Sequence, residues 1–464
     1  MRGEPDFLQN LRDEMGDGRQ WLDRAIVIAY AVLAGLAVVG FTLLADAAFG
    51  GYQALRGALW WAPLVWTPAL TALIVWATRR WAPGAAGSGV PQVLTALAPE
   101  TPMAARPRFV SLRLSLAKIA AVAGGLLAGL SIGRQGPSVQ VAAGVMLHAK
   151  RWLSPRTDIS TRELLVAGGA AGIAAAFNTP LGGIVFAIEE LSRRLQERSS
   201  GLMLAAIVVS GLVAVSAFGN LSYFGRVRAD GVSWWALMGP GLLVALAAGL
   251  LGGLLSRLML ASFTGLPDRF CAYRRKRPVA FAAVCGFVVA VIAVLTDGQM
   301  VGVGHQHTQA LLNTPAQAHH TPLLFTGLKL IASWLSSWAG VPGGLFGPSL
   351  SIGAGLGADV ARLLESPHGP ALIALGMCGF LAAVTQTPIT AMIIVMEMTD
   401  GHSMVLSLMA CALMASLVAR MISRPLYSTM SILMMRSLRE PPLGDAPADS
   451  RSAPLDARSG SAPR

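Results

Sequence analysis

Three Gly/Pro motifs carry the residues best placed to bind an ion. They are Gly87-Ser88-Gly89-Val90-Pro91, Gly133-Arg134-Gln135-Gly136-Pro137 and Gly343-Gly344-Leu345-Phe346-Gly347-Pro348. Each runs straight into an apolar stretch. Glycine lets a backbone turn sharply, and proline is favoured at the first helical position, where its missing N–H costs nothing. Each motif therefore predicts a helix N-terminus with unpaired N–H groups and roughly half a positive charge. Several such ends converging would hold an anion without a fixed cation, loosely enough to release it. Ser88 adds a hydroxyl donor, although on its own it reads as a helix N-cap. Taken singly, each motif reads as a loop between spans, and the side chains of Leu345 and Phe346 as core packing.

A repeat strengthens the anion reading. Residues 133–144 (GRQGPSVQVAAG) and 344–355 (GLFGPSLSIGAG) share Gly-x-x-Gly-Pro-Ser. Residues 178–189 (NTPLGGIVFAIE) and 386–397 (QTPITAMIIVME) share an amide, Thr-Pro, an apolar octet and Glu. The offsets are 211 residues (133 to 344) and 208 (178 to 386). Two ordered matches at nearly one offset indicate duplication, and transporter repeats place a site between the halves. The alignment alone leaves parallel and inverted repeats open. Glu189 and Glu397 occupy equivalent repeat positions, which points to a structural task such as capping helix ends.

The elements that position these motifs must lie in a membrane. Of 464 residues, 54% are hydrophobic and 13% charged, about half the charge of a soluble domain. Mean hydropathy is +0.58. Disorder and soluble architectures are excluded, as is a barrel, because no stretch alternates in the required way. The net charge of +12 fits basic cytoplasmic loops better than a nucleic-acid partner. Basic clusters at Lys150, Arg151 and Arg156, at Arg193, Arg194 and Arg198, and at Arg274 to Arg277 mark such loops. Long spans are predicted to begin near Ala25, Leu202, Trp235, Val279 and Met404. Other apolar runs, 114–132 among them, are short or interrupted, as expected of helices stopping around a polar path. The organisation read from this is a cytoplasmic segment 1–24, a transmembrane domain 25–437 and a disordered tail 438–464. The two halves cover about 25–220 and 232–437.

Other candidates read as inert. Cys271, Cys285, Cys378 and Cys411 lack metal or disulfide spacing. His305, His307, His319 and His320 read as accidents of a polar linker, so no metal and no cofactor is expected. Hydrolase, zinc-protease and P-loop signatures are missing, and a membrane-embedded enzyme would need more clustered His, Asp or Glu. Tyr427, alone, would be an interfacial anchor.

Together the three motifs resemble GSGIP, GREGP and GxFxP, the signatures of the ClC chloride channels and chloride/proton antiporters, in the same order. The stretch from Asn178-Thr179-Pro180 to Glu190 and the segment Arg424-Pro425-Leu426-Tyr427 are also similar to family segments, so the resemblance runs from about Ala25 to Arg436. It implies an all-α multi-pass protein of about 17 or 18 tilted helices in two inverted repeats. It further implies a homodimer in the lipid bilayer, with one chloride pathway per subunit. By the resemblance, chloride is bound by the Ser88 and Tyr427 hydroxyls and the Leu345 and Phe346 N–H groups, with Gln135 at the gate. Glu190 matches the inner glutamate that passes protons. The lack of a C-terminal regulatory domain pair implies a prokaryotic inner-membrane protein, with both termini expected in the cytoplasm.

Gln135 departs from the family, which usually has Glu there. A carboxylate competes with chloride and titrates, whereas an amide of nearly the same shape does neither. Passive conduction by a channel or uniporter is therefore expected. Coupled chloride/proton exchange by another proton route is the alternative, and fluoride selectivity is a weaker one. Gln92 and Leu94 also replace residues often Glu in antiporters, leaving Lys118 with one fewer candidate partner. With the usual gating charge missing, voltage gating is only weakly implied.

Overall fold

A computed structural model describes residues 18–192, 200–219, 223–225, 234–265, 269–313 and 324–439. Within these lie 18 α-helices and no strand beyond one isolated bridge. The first half contains α1 (Gly18–Ala58), α2 (Pro63–Trp81), α3 (Val90–Leu97), α4 (Leu112–Leu127), α5 (Gln135–His148), α6 (Thr161–Phe177), α7 (Pro180–Phe186) and α8 (Ser200–Phe218). The second contains α9 (Trp234–Thr264), α10 (Arg269–Lys276), α11 (Pro278–Leu295), α12 (His305–Asn313), α13 (Phe325–Trp338), α14 (Phe346–Leu363), α15 (Gly369–Thr385), α16 (Pro388–Thr399), α17 (Val405–Ile422) and α18 (Leu426–Arg439).

Six segments are long and apolar enough to cross a membrane. Five match the predicted spans. The sixth, Arg106–Leu127, includes most of the run taken from sequence as interrupted. The first helix begins at Gly18, ahead of Ala25, so residues 18–24 form its first turns. Residues 1–17, 193–199, 314–323 and 440–464 lie outside the described residues. They include His319, His320, Arg193, Arg194, Arg198 and most of the proposed tail.

The repeat is an inverted one. Helices α6 and α15 each have 17 residues, and each ends on a left-handed residue with φ 58°, Asn178 and Gln386. Thr-Pro follows both, starting α7 and α16. In the core, α5 packs on α6 and α14 on α15. The helices approach so closely that a Cβ on Gly376 would stand 2.1 Å from the Gly353 carbonyl oxygen, the small-residue packing typical of membrane interfaces.

The two conserved-in-repeat glutamates cap each other's half. Glu397 accepts from the N–H groups of Leu181 and Gly182 (3.2 and 2.7 Å) at the start of α7. Glu189 accepts from Ile389 and Thr390 N–H at the same distances, and from the Thr390 hydroxyl, at the start of α16. A carboxylate at a helix N-terminus satisfies orphan donors and opposes the helix dipole. Replacing either glutamate by Ala should lower unfolding free energy by about 1–3 kcal/mol, read as reduced melting temperature in detergent. An unshifted Glu397→Ala variant would show that the cross-half caps are dispensable.

Candidate functional site

The three motif loops lie against one another. Gly133 and Gly344 exchange both backbone hydrogen bonds at 2.7 Å, and Gly343 N–H donates to the Gly87 carbonyl at 3.2 Å. A Cβ on Gly89 would stand 2.7 Å from the Gly136 carbonyl oxygen. Helices α3, α5 and α14 therefore begin at one junction. Their first-turn N–H groups have no intrahelical acceptor and are available to a ligand.

Ser88 sits at this junction. Its hydroxyl oxygen lies 2.5 Å from the position a Cβ on Gly136 would take, and it has no hydrogen-bond partner in the protein. The Tyr427 hydroxyl, near the start of α18, is also buried and unpartnered. It approaches the Ser88 hydroxyl without closing a well-formed bond. Phe346 fixes the phenol ring by stacking on it, with centroids 5.8 Å apart at 22°. Phe177 and Phe186 pack edge-on against Phe346 at 5.9 and 6.2 Å. Leu345, which precedes α14, is buried beside it. The result is two uncharged O–H donors and helix-end N–H groups in apolar surroundings, where an electrostatic attraction is strengthened.

Gln135 is the first residue of α5 and is 1% exposed. Its carboxamide oxygen lies 2.9 Å from where a Cβ would stand on either Gly133 or Gly347, and it has no partner. The side chain thus lies across the paired N-termini of α5 and α14. The preceding Arg134 is drawn elsewhere, pairing with Asp46 on α1 and donating to the Tyr223 hydroxyl at 2.9 Å. Glu190 lies in a π-helical turn, Ala187–Leu191, in the neighbourhood of Tyr427. The structure so brings Ser88, Leu345, Phe346, Tyr427 and Gln135 to one region, with Glu190 on the Tyr427 side.

Two residues that the sequence marked only as departures from the antiporter pattern turn out to position the site. Lys118 on α4 is fully buried and donates to the carbonyls of Ala85 and Gly87 at 2.6 and 2.7 Å. Gln92 accepts from Gly89 N–H at 2.9 Å and donates to the Ala86 carbonyl. Both pin the loop that presents Ser88. Gln92 stands at the third position of α3, where a capping-box side chain belongs, and Lys118 is a charge within an apolar helix, a functional signal by itself. Because carbonyls satisfy Lys118, it needs no carboxylate partner. Lys329, 211 residues on, repeats the arrangement with Val301 and Gly302 carbonyls at 3.2 and 2.8 Å. Gly302 and Gly304 (φ 65° and 85°) also repeat the left-handed turns of Gly87 and Gly89 (φ 77° and 110°). Between them the second half has Val303, which has no donor, where the first has Ser88.

His305 and His307 belong to α12 rather than to a loose linker. Their rings pack on Tyr223 and Phe325, with centroids 4.3 and 4.2 Å away. None of the four cysteines is in a disulfide, and all are buried.

Removing either converging hydroxyl should weaken anion binding. Ser88→Ala and Tyr427→Phe are each expected to raise the chloride Kd by about tenfold or more, the loss of one hydrogen bond to a charged acceptor, measured by calorimetry in detergent. Unchanged Kd in both would remove these hydroxyls from the site.

Comparison with known proteins matches this geometry to a family. The sequence model described as Voltage gated chloride channel matches residues 70–420. The H(+)/Cl(-) exchange transporter ClcA of Vibrio parahaemolyticus is 30% identical over 395 residues, covering 82% of this chain and 81% of that protein. The ClcA of Citrobacter koseri is 30% identical over 419 residues, covering 84% and 83%. Among solved structures, a slow cyanobacterial Cl-/H+ antiporter superposes with a TM-score of 0.78 at 21% identity, covering 90% of this chain and 99% of its own. A CLC-type fluoride/proton antiporter gives 0.68 at 19% identity, covering 92% and 99%. The inverted repeat, the converging helix ends and the family match over most of the chain place it among the ClC proteins, and it belongs to the voltage gated chloride channel family.

Proposed function

We propose that this protein moves chloride across a prokaryotic inner membrane as a homodimer, through one pathway per subunit. In this reading chloride sits at the junction of α3, α5 and α14. It accepts from the Ser88 and Tyr427 hydroxyls and from the N–H groups of Leu345 and Phe346. These donors add no net charge, so the anion is held without being trapped.

We further propose that the flux needs no proton in return. The observation that carries this is Gln135, a side chain that lies across the helix ends and cannot ionise. As a neutral plug it competes weakly with chloride and takes up no proton. A proton passed by Glu190 would then meet no ionisable side chain at position 135, and Glu190 serves as a polar group beside Tyr427.

Proton-coupled exchange is the second reading. It is the activity named for the ClcA relatives, and the comparisons favour it over passive flux. It would require a proton route that bypasses residue 135. Purified protein in liposomes, with chloride efflux and proton movement recorded together, separates the two. Passive transport predicts chloride efflux with no uphill proton movement driven by a chloride gradient; proton pumping by that gradient would establish exchange. Under the passive reading, Gln135→Glu should slow efflux severalfold at neutral pH and restore it on acidification, as the carboxylate protonates. Efflux unaltered by that substitution would sink the gate assignment.

A further inference from the structure

The basic run Arg274 to Arg277 has no part in the anion junction. Helix α10 carries its first three residues. The apolar segment Trp235–Thr264 ends shortly before this helix, and the apolar segment Pro278–Leu295 begins shortly after it. Both are long enough to cross a membrane, so α10 lies at the membrane boundary between them. Residues 269–277 contain five basic side chains and no carboxylate. Phe270 and Tyr273, three apart and so on one face, are 67% and 41% exposed.

The end of α2 reaches the same place. A cavity of about 330 Å³ is lined by Arg79 from α2, by Phe263 and Thr264 from the end of α9, and by Cys271, Arg274 and Arg275 from α10. Among its described lining residues there is no carboxylate. Arg274 is engaged in part, donating to the Ser262 carbonyl. Arg79 and Arg275 are exposed and have no hydrogen-bond or ion-pair partner among the described residues. Like charges gathered around one space repel, and an anion between them converts the repulsion to attraction. The planar guanidinium fork matches a phosphate, which it can hold through two parallel bonds.

The rim of the cavity says which phosphate. Phe263 is exposed, as are Trp76 and Trp81 at the end of α2, whose rings meet edge-on at 5.1 Å. Exposed aromatic rings at the end of a span are suited to the headgroup level of a bilayer. A soluble phosphate has no use for them, whereas a lipid sets its phosphate on the guanidinium groups and its chains along the rings. Basic loops favour the cytoplasmic side, and anionic lipid in that leaflet attracts them. We propose that Arg79, Arg274 and Arg275 bind the phosphate of an anionic phospholipid of the cytoplasmic leaflet, with Phe263 and the exposed rings of α2 and α10 against its apolar part. This site is separate from the chloride junction, and its occupancy does not depend on how chloride moves.

The test is native mass spectrometry of the full chain released from detergent micelles that hold equal amounts of phosphatidylglycerol and phosphatidylcholine. The wild-type protein should retain phosphatidylglycerol preferentially. Arg79→Gln and Arg275→Gln should each lower that preference about fivefold, the effect of one basic side chain at a lipid surface. Arg80→Gln, whose side chain is not part of the cavity wall, should leave it unchanged. An excess of soluble glycerol phosphate should not displace the retained lipid. Equal retention of the two lipids by the wild-type protein overturns the proposal, whether or not the variants fold. So does an equal loss in Arg80→Gln, which would mean diffuse attraction without a site. Displacement by glycerol phosphate would identify a site for free phosphate and overturn the lipid assignment.

Discussion

The paired hydrogen bonds between Gly133 and Gly344 are the constraint on which the rest of the structure depends. A helix that stops inside lipid leaves backbone groups that water cannot satisfy. Here two such interruptions, one from each half, satisfy each other. The exchange forces the N-termini of α5 and α14 together, and the Gly343 bond to Gly87 brings α3 to the same place. The donors left over are those of the first helical turns, and they meet at one junction. The same logic operates at α7 and α16, where each half supplies the glutamate that caps the other.

Symmetry holds the frame, and asymmetry supplies the function. Gln135 and Phe346 occupy equivalent repeat positions, as do Arg134 and Leu345. On one side an amide lies across the helix ends; on the other an aromatic ring braces Tyr427. Lys118 and Lys329 hold matching loops by their carbonyls, yet only the first loop presents a hydroxyl, because the second has Val303 in place of Ser88. A duplicated scaffold thereby carries two chemically different ends.

Much of this was legible in the residues. The helix starts at the three motifs, the five long spans and the capping role of Glu189 and Glu397 follow from Gly/Pro placement, hydropathy and the repeat. Local chemistry sets each of them, so local sequence reports them. Other features were not legible. The span over Arg106–Leu127 was obscured because glycines that read as breaks are used for close helix packing. Lys118 suggested a missing carboxylate partner, whereas its partners are backbone carbonyls, which no side-chain pattern records. The ring contacts of His305 depend on Tyr223 and Phe224, remote in the chain from α12.

By itself the sequence determined the solvent, the repeat and the inventory of donors. Charge content decides whether a chain can be coated by water, and a duplication survives as residue identities. It also determined that position 135 cannot ionise, since that is a property of the amide and not of its surroundings. Only the tertiary structure decided that the repeats are inverted and that three separate helix starts meet. It likewise decided which donors are left without a protein partner. Those outcomes depend on which backbone groups can satisfy one another across 211 residues of chain, a long-range pairing that lipid enforces and local sequence does not encode.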